Sequence, residues 1–377
     1  MSRMELEGVA DGLVEALLLV ARVCSDLLYL ALLTLVALPL LTARALVGGA
    51  RSPPACAPPD GVYGSVLITG ASCGIGAGLA RQFARPGARL VLTAVHRPSL
   101  DAIVRECEAL GATVVPRYVD VRDAGAMSAL VLEADAARAL QLVVANAGIV
   151  PSGDGLKDTP LVLETNLLGC ANTVLPAVEC FRKRGRGQLV LLSSLGGFAP
   201  ATCFFMLPYV ASKTAIRSFG EGLRGCLRDE NIGVTVVTPG FVESRMTALQ
   251  NKLGVNFIAM WSNKDACDTI RRGIELDKPL VAFPSLMYIG VRLSGELPHY
   301  LRELLGSALG RFDPFRRMDQ VTKEQPDYAK THAVGLNEDR IDPIKGLLSS
   351  VPPAAGLLGA LALLALLLLG SPTLSLV

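Results

Sequence analysis

Seven short runs rich in β-branched and other apolar residues recur through the middle of the chain, alternating with helix-like stretches. They are VLIT from Val66, RLVLT from Arg89, TVVPRYV from Thr113, LQLVVA from Leu140, QLVLLS from Gln188, GVTVVT from Gly233 and LVAF from Leu280. A strand with one wet face alternates apolar and polar residues. These runs are near-continuous in apolar residues, so both of their faces must be covered. Strands of that kind, separated by helices, build an α/β fold with a doubly wound parallel sheet. Ligands of such sheets bind beyond the carboxyl ends of the strands, which is where chemistry-bearing residues are to be sought.

The chain has 377 residues, enough for one large covered sheet plus appendages. It is 51% apolar and 19% charged, with a mean hydropathy of +0.44, too apolar for a soluble enzyme alone. Net charge is only +2, and the basic residues form no patch interleaved with aromatics. A nucleic-acid partner is therefore not expected. The nine cysteines include no Cys-x-x-Cys, and His96, His299 and His332 are far apart. Neither a metal site nor a disulfide frame is expected, and the thiols read as idle in a reducing compartment.

The apolar excess is concentrated at the two ends. Leu27 to Leu41 (LLYLALLTLVALPLL) predicts an anchor within an N-terminal region, residues 1–47. Its length is below the roughly 20 residues of a bilayer-spanning helix, so its ends must snorkel. A cleaved signal peptide has a short basic leader, whereas this leader is long and carries Glu5, Glu7, Asp11 and Glu15. Arg44 and Arg51 follow the span. By the positive-inside rule the downstream domain faces the cytosol, and an endoplasmic reticulum membrane is the expected location. Residues 48–61 (GGARSPPACAPPDG) form a stiff proline-rich linker, and residues 62–284 form the sheet domain. Residues 285–345 are expected to be a helical extension. Its first part, Ser285 to Phe312, reads equally as a core helix or as a surface lying on a membrane. Residues 346–377 contain the apolar block Ala354 to Leu369, expected to be a second membrane helix. The alternative, a processed lipid-anchor signal, would require a lumenal domain.

Two constellations carry chemistry. Thr69-Gly70-Ala71-Ser72-Cys73-Gly74-Ile75-Gly76 lies between a predicted strand and a predicted helix. Glycines there permit a tight turn and the close approach of a pyrophosphate, which the helix amino terminus attracts. Tyr209 and Lys213 lie four residues apart on a helix predicted to run to about Asp229, hence on one face. An adjacent ammonium favours the phenolate and lowers a Tyr pKa from about 10 toward the working range, where the phenol exchanges a proton with a carbonyl oxygen.

In order along the chain, these motifs and several others resemble the short-chain dehydrogenase/reductase family over roughly Val62 to Pro284. The resemblance implies a Rossmann fold and carries cofactor binding onto Thr69, Gly70, Ser72, Gly74, Ile75 and Gly76. It implies an adenine contact from Asp120 and Val121, and a steadying of the sheet beside the cofactor by Asn146, Ala147 and Gly148. Pro239, Gly240 and Ser244 match the segment on the nicotinamide side. Asn166, Ser194, Tyr209 and Lys213 match the catalytic tetrad. The family pattern favours Ser194 over Ser193, whose hydroxyl is expected to satisfy strand-end backbone groups.

The resemblance implies hydride transfer between a nicotinamide and a carbinol or carbonyl carbon. Tyr209 would protonate the oxygen, Ser194 would hydrogen-bond it, Lys213 would bind the nicotinamide ribose and acidify Tyr209, and Asn166 would hold a water linking Lys213 to solvent. The second strand ends in Thr93-Ala94-Val95-His96-Arg97, with no acid to hold ribose hydroxyls. His96 and Arg97 would welcome a 2′-phosphate, so NADPH is expected rather than NAD. Family members using NADP often carry Arg where Val95 stands. Other departures are Cys73 in the glycine loop and a short segment between Gly148 and Asn166, which borders the substrate entrance. Among lipid-handling relatives the chain looks most like membrane-bound ketone reductases, the 3-ketodihydrosphingosine reductases being one candidate, with steroid and retinol dehydrogenases as the alternative. Both imply a lipophilic small-molecule substrate, and family members often pair into homodimers or homotetramers. A reading of another class is a catalytically silent, nucleotide-binding membrane scaffold; the intact tetrad speaks against it.

Overall fold

The computed structural model describes residues 62–151, 156–198, 206–244, 247, 260–297 and 299–310, with isolated positions before residue 62. The chain divides into two compact units, Met1–Ser52 and Pro53–Val377. The expected N-terminal anchor and proline-rich linker lie, apart from those isolated positions, outside the described residues, as do residues 311–377.

Seven strands form one parallel sheet: β1 (Ser65–Thr69), β2 (Arg89–Thr93), β3 (Thr113–Arg117), β4 (Leu142–Ala145), β5 (Gly187–Leu192), β6 (Ile232–Pro239) and β7 (Leu280–Phe283). Their order is β3-β2-β1-β4-β5-β6-β7. The order reverses between β1 and β4, which pair with Val66 opposite Leu142. The crevice above that reversal is where ligands of such sheets bind. β3 is the exception to the fully buried pattern. It is half-buried and stops at Arg117, short of the predicted Val119, with Pro116 tolerated because the strand is an edge.

The helices between the strands are α1 (Gly74–Phe83), α2 (Arg97–Ala109), α3 (Ala124–Ala137), α4 (Thr159–Leu163), α5 (Gly169–Arg184), α6 (Leu207–Cys226) and α7 (Asn263–Glu275). Two further helices, α8 (Ser285–Gly295) and α9 (His299–Gly310), follow β7. Successive strand residues point to opposite faces, so each strand feeds two cores. Val66, Ile68, Leu90 and Leu92 pack with Leu79, Leu100 and Ile270 on one side. Leu67, Val91, Leu189 and Leu191 pack with Val131, Val174, Phe181 and Ile216 on the other. Each such side chain, fully withdrawn from water, contributes about 1.5–3 kcal/mol, which explains why both strand faces had to be apolar.

Three details fix the frame of the site. Tyr63 is buried at the start of the domain, where its hydroxyl donates to Gln188, whose amide donates to Ile274 O at 2.7 Å. Helices α4 and α5 are joined by a π turn, Glu164–Leu168, which holds Asn166. Among the described residues, the run Thr159–Arg184 is the one helix long and apolar enough to cross a membrane, but its Val174, Val178 and Phe181 pack in the core.

Candidate active site

The ends of β1 and β4 are laced together. Thr69 Oγ1 accepts the N–H groups of Asn146 (3.1 Å) and Ala147 (3.2 Å), while Asn146 Nδ2 donates to Thr69 O (2.9 Å) and Gly70 O (3.1 Å). Gly70 has φ +64, and a Cβ there would stand 2.8 Å from Ala147 Cα; one on Gly76 would stand 2.3 Å from Gly70 O. Side chains at either position would push the loop off β4. The loop runs into α1, whose N-cap, Cys73, makes no side-chain cap, and whose first turn carries no acid. Its N–H groups are left for an anion, and the bare glycine cradle lets a pyrophosphate approach them, so the residues present fit a dinucleotide. Ser244 comes up against this loop, its Cβ 3.3 Å from where a Cβ on Gly74 would be. Thr247 steadies it by accepting the Ser244 N–H at 3.0 Å. Gly240 N donates to Phe283 O at 2.7 Å, tying the turn after Pro239 to β7.

At the end of β2, His96 caps α2, its Nδ1 accepting the Ser99 N–H at 3.3 Å and lying 2.7 Å from Ser99 Oγ. One ring nitrogen is therefore committed to the helix. Arg97 lays its guanidinium over the Tyr118 ring, 4.1 Å from the centroid, and the Tyr118 hydroxyl is bonded to Asp101. That bond to a carboxylate raises the Tyr118 pKa. Asp120 is gripped by Arg122, with Nη2 to Oδ2 at 2.6 Å and the Arg122 N–H to Oδ1 at 2.9 Å. The guanidinium holds the Asp120 carboxyl below the usual range. Sequence reasoning missed this partner, although the two-residue spacing was its signal. Val121 O accepts from Asn172 Nδ2 at 2.9 Å, and the Val121 side chain packs where Gly169 leaves room.

Asn166, Tyr209, Lys213 and Ser194 come from three elements. The Asn166 side chain is fully buried and clamps the backbone of Ile149, accepting its N–H at 2.7 Å and donating to its carbonyl at 2.9 Å. The same amide donates to Ser212 Oγ at 3.0 Å, and Ser212 Oγ donates to Tyr209 O at 2.6 Å. Ser212 was not singled out from the sequence, yet it joins the π turn to the helix of Tyr209 and Lys213. Lys213 Nζ lies 5.6 Å from the centre of the Tyr209 ring and donates to Leu192 O at 2.8 Å. The spacing of four thus brings ammonium and phenol together on one face of α6. Burial pushes the Lys213 pKa down from 10.5 to about 8, against an opposing influence from Cys170. The adjacent serines divide the work: Ser193 is buried and donates to Lys213 O at 2.6 Å, whereas Ser194 is part-exposed and its Oγ accepts the Gly196 N–H at 3.2 Å. Gly148 sits between Asn166 and Lys213, where a Cβ would lie 3.2 Å from Asn166 Oδ1 and 3.3 Å from Lys213 Nζ. Ser72 and Ile75 lie in the glycine loop without a side-chain bond to these groups. Among the described residues no cluster of His, Cys, Asp or Glu could hold a metal ion.

The arrangement sets a phenol and a buried cation on one face of α6, with a part-exposed serine just past the end of β5, beside a cradle that fits an anionic cofactor. Residues 65–253 match the family model for short chain dehydrogenase. An uncharacterized oxidoreductase of Myxococcus xanthus is 36% identical over 245 residues, 63% of this chain and 94% of the relative. A galactitol 2-dehydrogenase (L-tagatose-forming) of Cereibacter sphaeroides is 33% identical over 185 residues, 48% of this chain and 72% of that protein. Among solved structures, the apo form of LigD from Sphingobium matches with a TM-score of 0.51 and 27% identity, covering 61% of this chain and 93% of its own. The bulky-bulky ketone specific alcohol dehydrogenase from Comamonas testosteroni matches in fold, with a TM-score of 0.53 and 22% identity over 62% of this chain and 92% of its own.

Proposed function

The chain belongs to the short-chain dehydrogenase family and is an NAD(P)-dependent oxidoreductase; from that premise we propose that it uses NADPH to reduce the carbonyl of a lipophilic substrate. The observation that carries the reading is the convergence of Tyr209, Lys213 and Asn166 through bonds to Leu192, Ser212 and Ile149, with Ser194 at the adjoining strand end. When bound, the reduced nicotinamide supplies the hydride. Tyr209 gives its phenolic proton to the carbonyl oxygen, and Ser194 donates a hydrogen bond to the same oxygen. Lys213, held 5.6 Å from the Tyr209 ring, lowers the cost of the phenolate left behind. Asn166 keeps the segment bearing Ile149 and the start of α6 in register, so that the proton path from Lys213 stays connected.

The cofactor choice is supported by the end of β2, where His96 and Arg97 stand and no carboxylate lies between Thr93 and Arg97. A 2′-phosphate there would gain charge-assisted hydrogen bonds, whereas a carboxylate would repel it. The lipophilic substrate is supported by the apolar runs at the two ends of the chain, which favour a membrane anchor, and the Arg44 and Arg51 asymmetry favours a domain on the cytosolic face of the endoplasmic reticulum. A long-chain keto-lipid such as 3-ketodihydrosphingosine is the favoured substrate, a steroid or retinoid the alternative, and a homodimer or homotetramer the proposed assembly.

The test is oxidation of NADPH in the presence of a panel of long-chain ketones. Tyr209→Phe should lose about 10²–10⁴-fold in kcat. Equal rates for wild type and variant would remove Tyr209 as the acid. A folded wild-type protein that binds NADPH and reduces no ketone would favour a silent scaffold.

A further inference from the structure

Helix α8 leaves the sheet directly from β7 with two unlike faces. On the inner face Tyr288 meets Phe198 edge-on at 5.3 Å, and Met287 Sδ lies against Gly240. On the opposite face Leu286, Ile289, Gly290 and Leu293 share about 100° of arc at roughly 3.6 residues per turn. Leu286, Ile289 and Leu293 are 60%, 48% and 45% exposed. No acidic residue occurs in Ser285–Gly295, and its one cation, Arg292, lies at the border of the apolar face with its guanidinium over Phe198. Phe198 ends the 3₁₀ turn Leu195–Phe198 that follows Ser194, so this ridge stands at the active-site end of the sheet.

We propose that the ridge of Leu286, Ile289 and Leu293 rests in the interfacial layer of a lipid bilayer, bringing the active-site end of the domain to the lipid surface. The proposal rests on the membrane reading given above. A lipid surface is the occupant because the same chain carries LLYLALLTLVALPLL and AAGLLGALALLALLLL, which hold the domain within reach of a bilayer. Arg292 is placed as an interfacial cation at the border of the ridge; its guanidinium lies over Phe198 and pairs with Glu296 at 3.6 Å, a part-exposed bond that a lipid phosphate would have to displace, so the apolar ridge carries the contact. Three half-exposed side chains fall far short of the roughly 800 Å² per partner that a stable dimer buries, so a second copy is a poorer occupant.

The chain's single tryptophan, Trp261, makes the test direct. In a Trp261→Phe background of the full chain, Leu286→Trp, Ile289→Trp and Leu293→Trp are reconstituted separately into phosphatidylcholine–phosphatidylserine vesicles, with plain or brominated acyl chains. Leu33→Trp, in the N-terminal apolar run, reports on anchoring, and Leu132→Trp, on the exposed side of α3, reports on water. Circular dichroism and NADPH binding verify folding; should the background fail them, Trp261 is kept and its own emission subtracted. The ridge reporters and Leu33→Trp should shift to the blue and lose emission in brominated lipid, while Leu132→Trp does neither. Quenching at Leu33→Trp but none at the ridge would overturn the proposal and leave the anchoring intact. No quenching at Leu33→Trp would overturn the membrane reading and the ridge with it. A blue shift at the ridge without quenching would mean that protein covers it, also overturning the proposal.

Discussion

Replacing Lys213 by Met separates the stability cost of the buried ammonium from its chemistry. Burial lowers the Lys213 pKa from 10.5 to about 8, and 2.5 pKa units correspond to about 3 kcal/mol of destabilisation while the group is charged. Met removes that cost, but it also deprives Leu192 O of the 2.8 Å bond from Nζ, a loss of about 1–3 kcal/mol. At pH 7 the two nearly cancel, so Lys213→Met should be about as stable as wild type while failing to reduce substrate. The pH dependence isolates the first effect. Between about pH 8 and 10.5 the unfolded chain still holds the Lys213 proton that the folded chain has released, so wild-type stability rises with pH over that window. The full cost is present below pH 8 and gone above 10.5. From pH 7 to pH 10, wild type should gain about 2–3 kcal/mol relative to Lys213→Met. The loss at Leu192 does not titrate and drops out of the comparison, as do thiols and phenols common to both proteins. Urea denaturation of the cofactor-free full chain in detergent at pH 7, 8, 9 and 10 measures the difference. A difference between the two proteins that stays constant over that range would refute the claim that Lys213 is held by burial with a depressed pKa.

Gly148→Ala should lower kcat about tenfold with the fold intact, because its new methyl crowds Asn166 Oδ1 and Lys213 Nζ at 3.2–3.3 Å and displaces them by a few tenths of an ångström. Steady-state kinetics with circular dichroism checks this, and an unchanged kcat would show that the pair tolerates displacement. Arg97→Ala should raise KM for NADPH about tenfold and leave KM for NADH alone, since it removes a charge-assisted bond to a 2′-phosphate. Equal changes for the two cofactors would show that Arg97 serves only its stack on Tyr118.

The sheet was legible because its strands are buried on both sides: Val66 to Ile68 and Leu189 to Leu192 must be apolar at every position, and continuous apolar runs announce themselves. The edge strand β3 was legible only in part, since half-burial relaxes that demand and Pro116 could equally have ended it early. The glycine loop was legible because positive φ at Gly70 and contact at Gly76 leave few alternatives to glycine. The π turn around Asn166 was not. It inserts one residue into a helix through hydrogen-bond slippage, and Glu-Thr-Asn-Leu-Leu has no composition that distinguishes it from ordinary helix. The bridging by Ser212 between Asn166 and α6 was missed for another reason. Polar side chains choose partners by tertiary proximity, which linear spacing reveals only when both lie on one element. For Ser285 to Phe312 the sequence left core helix and membrane surface level, because Met287 and Tyr288 pack inward while Leu286, Ile289 and Leu293 remain exposed.

Strand β5 and helix α6 are stitched in both directions at adjacent positions: Lys213 Nζ donates to Leu192 O, and Ser193 Oγ donates back to Lys213 O. The reacting groups are thereby registered against the central sheet through bonds that draw on no residue beyond Lys213. Changes elsewhere in the chain that leave these two bonds intact should therefore carry over both the acid chemistry of Tyr209 and the titration of Lys213.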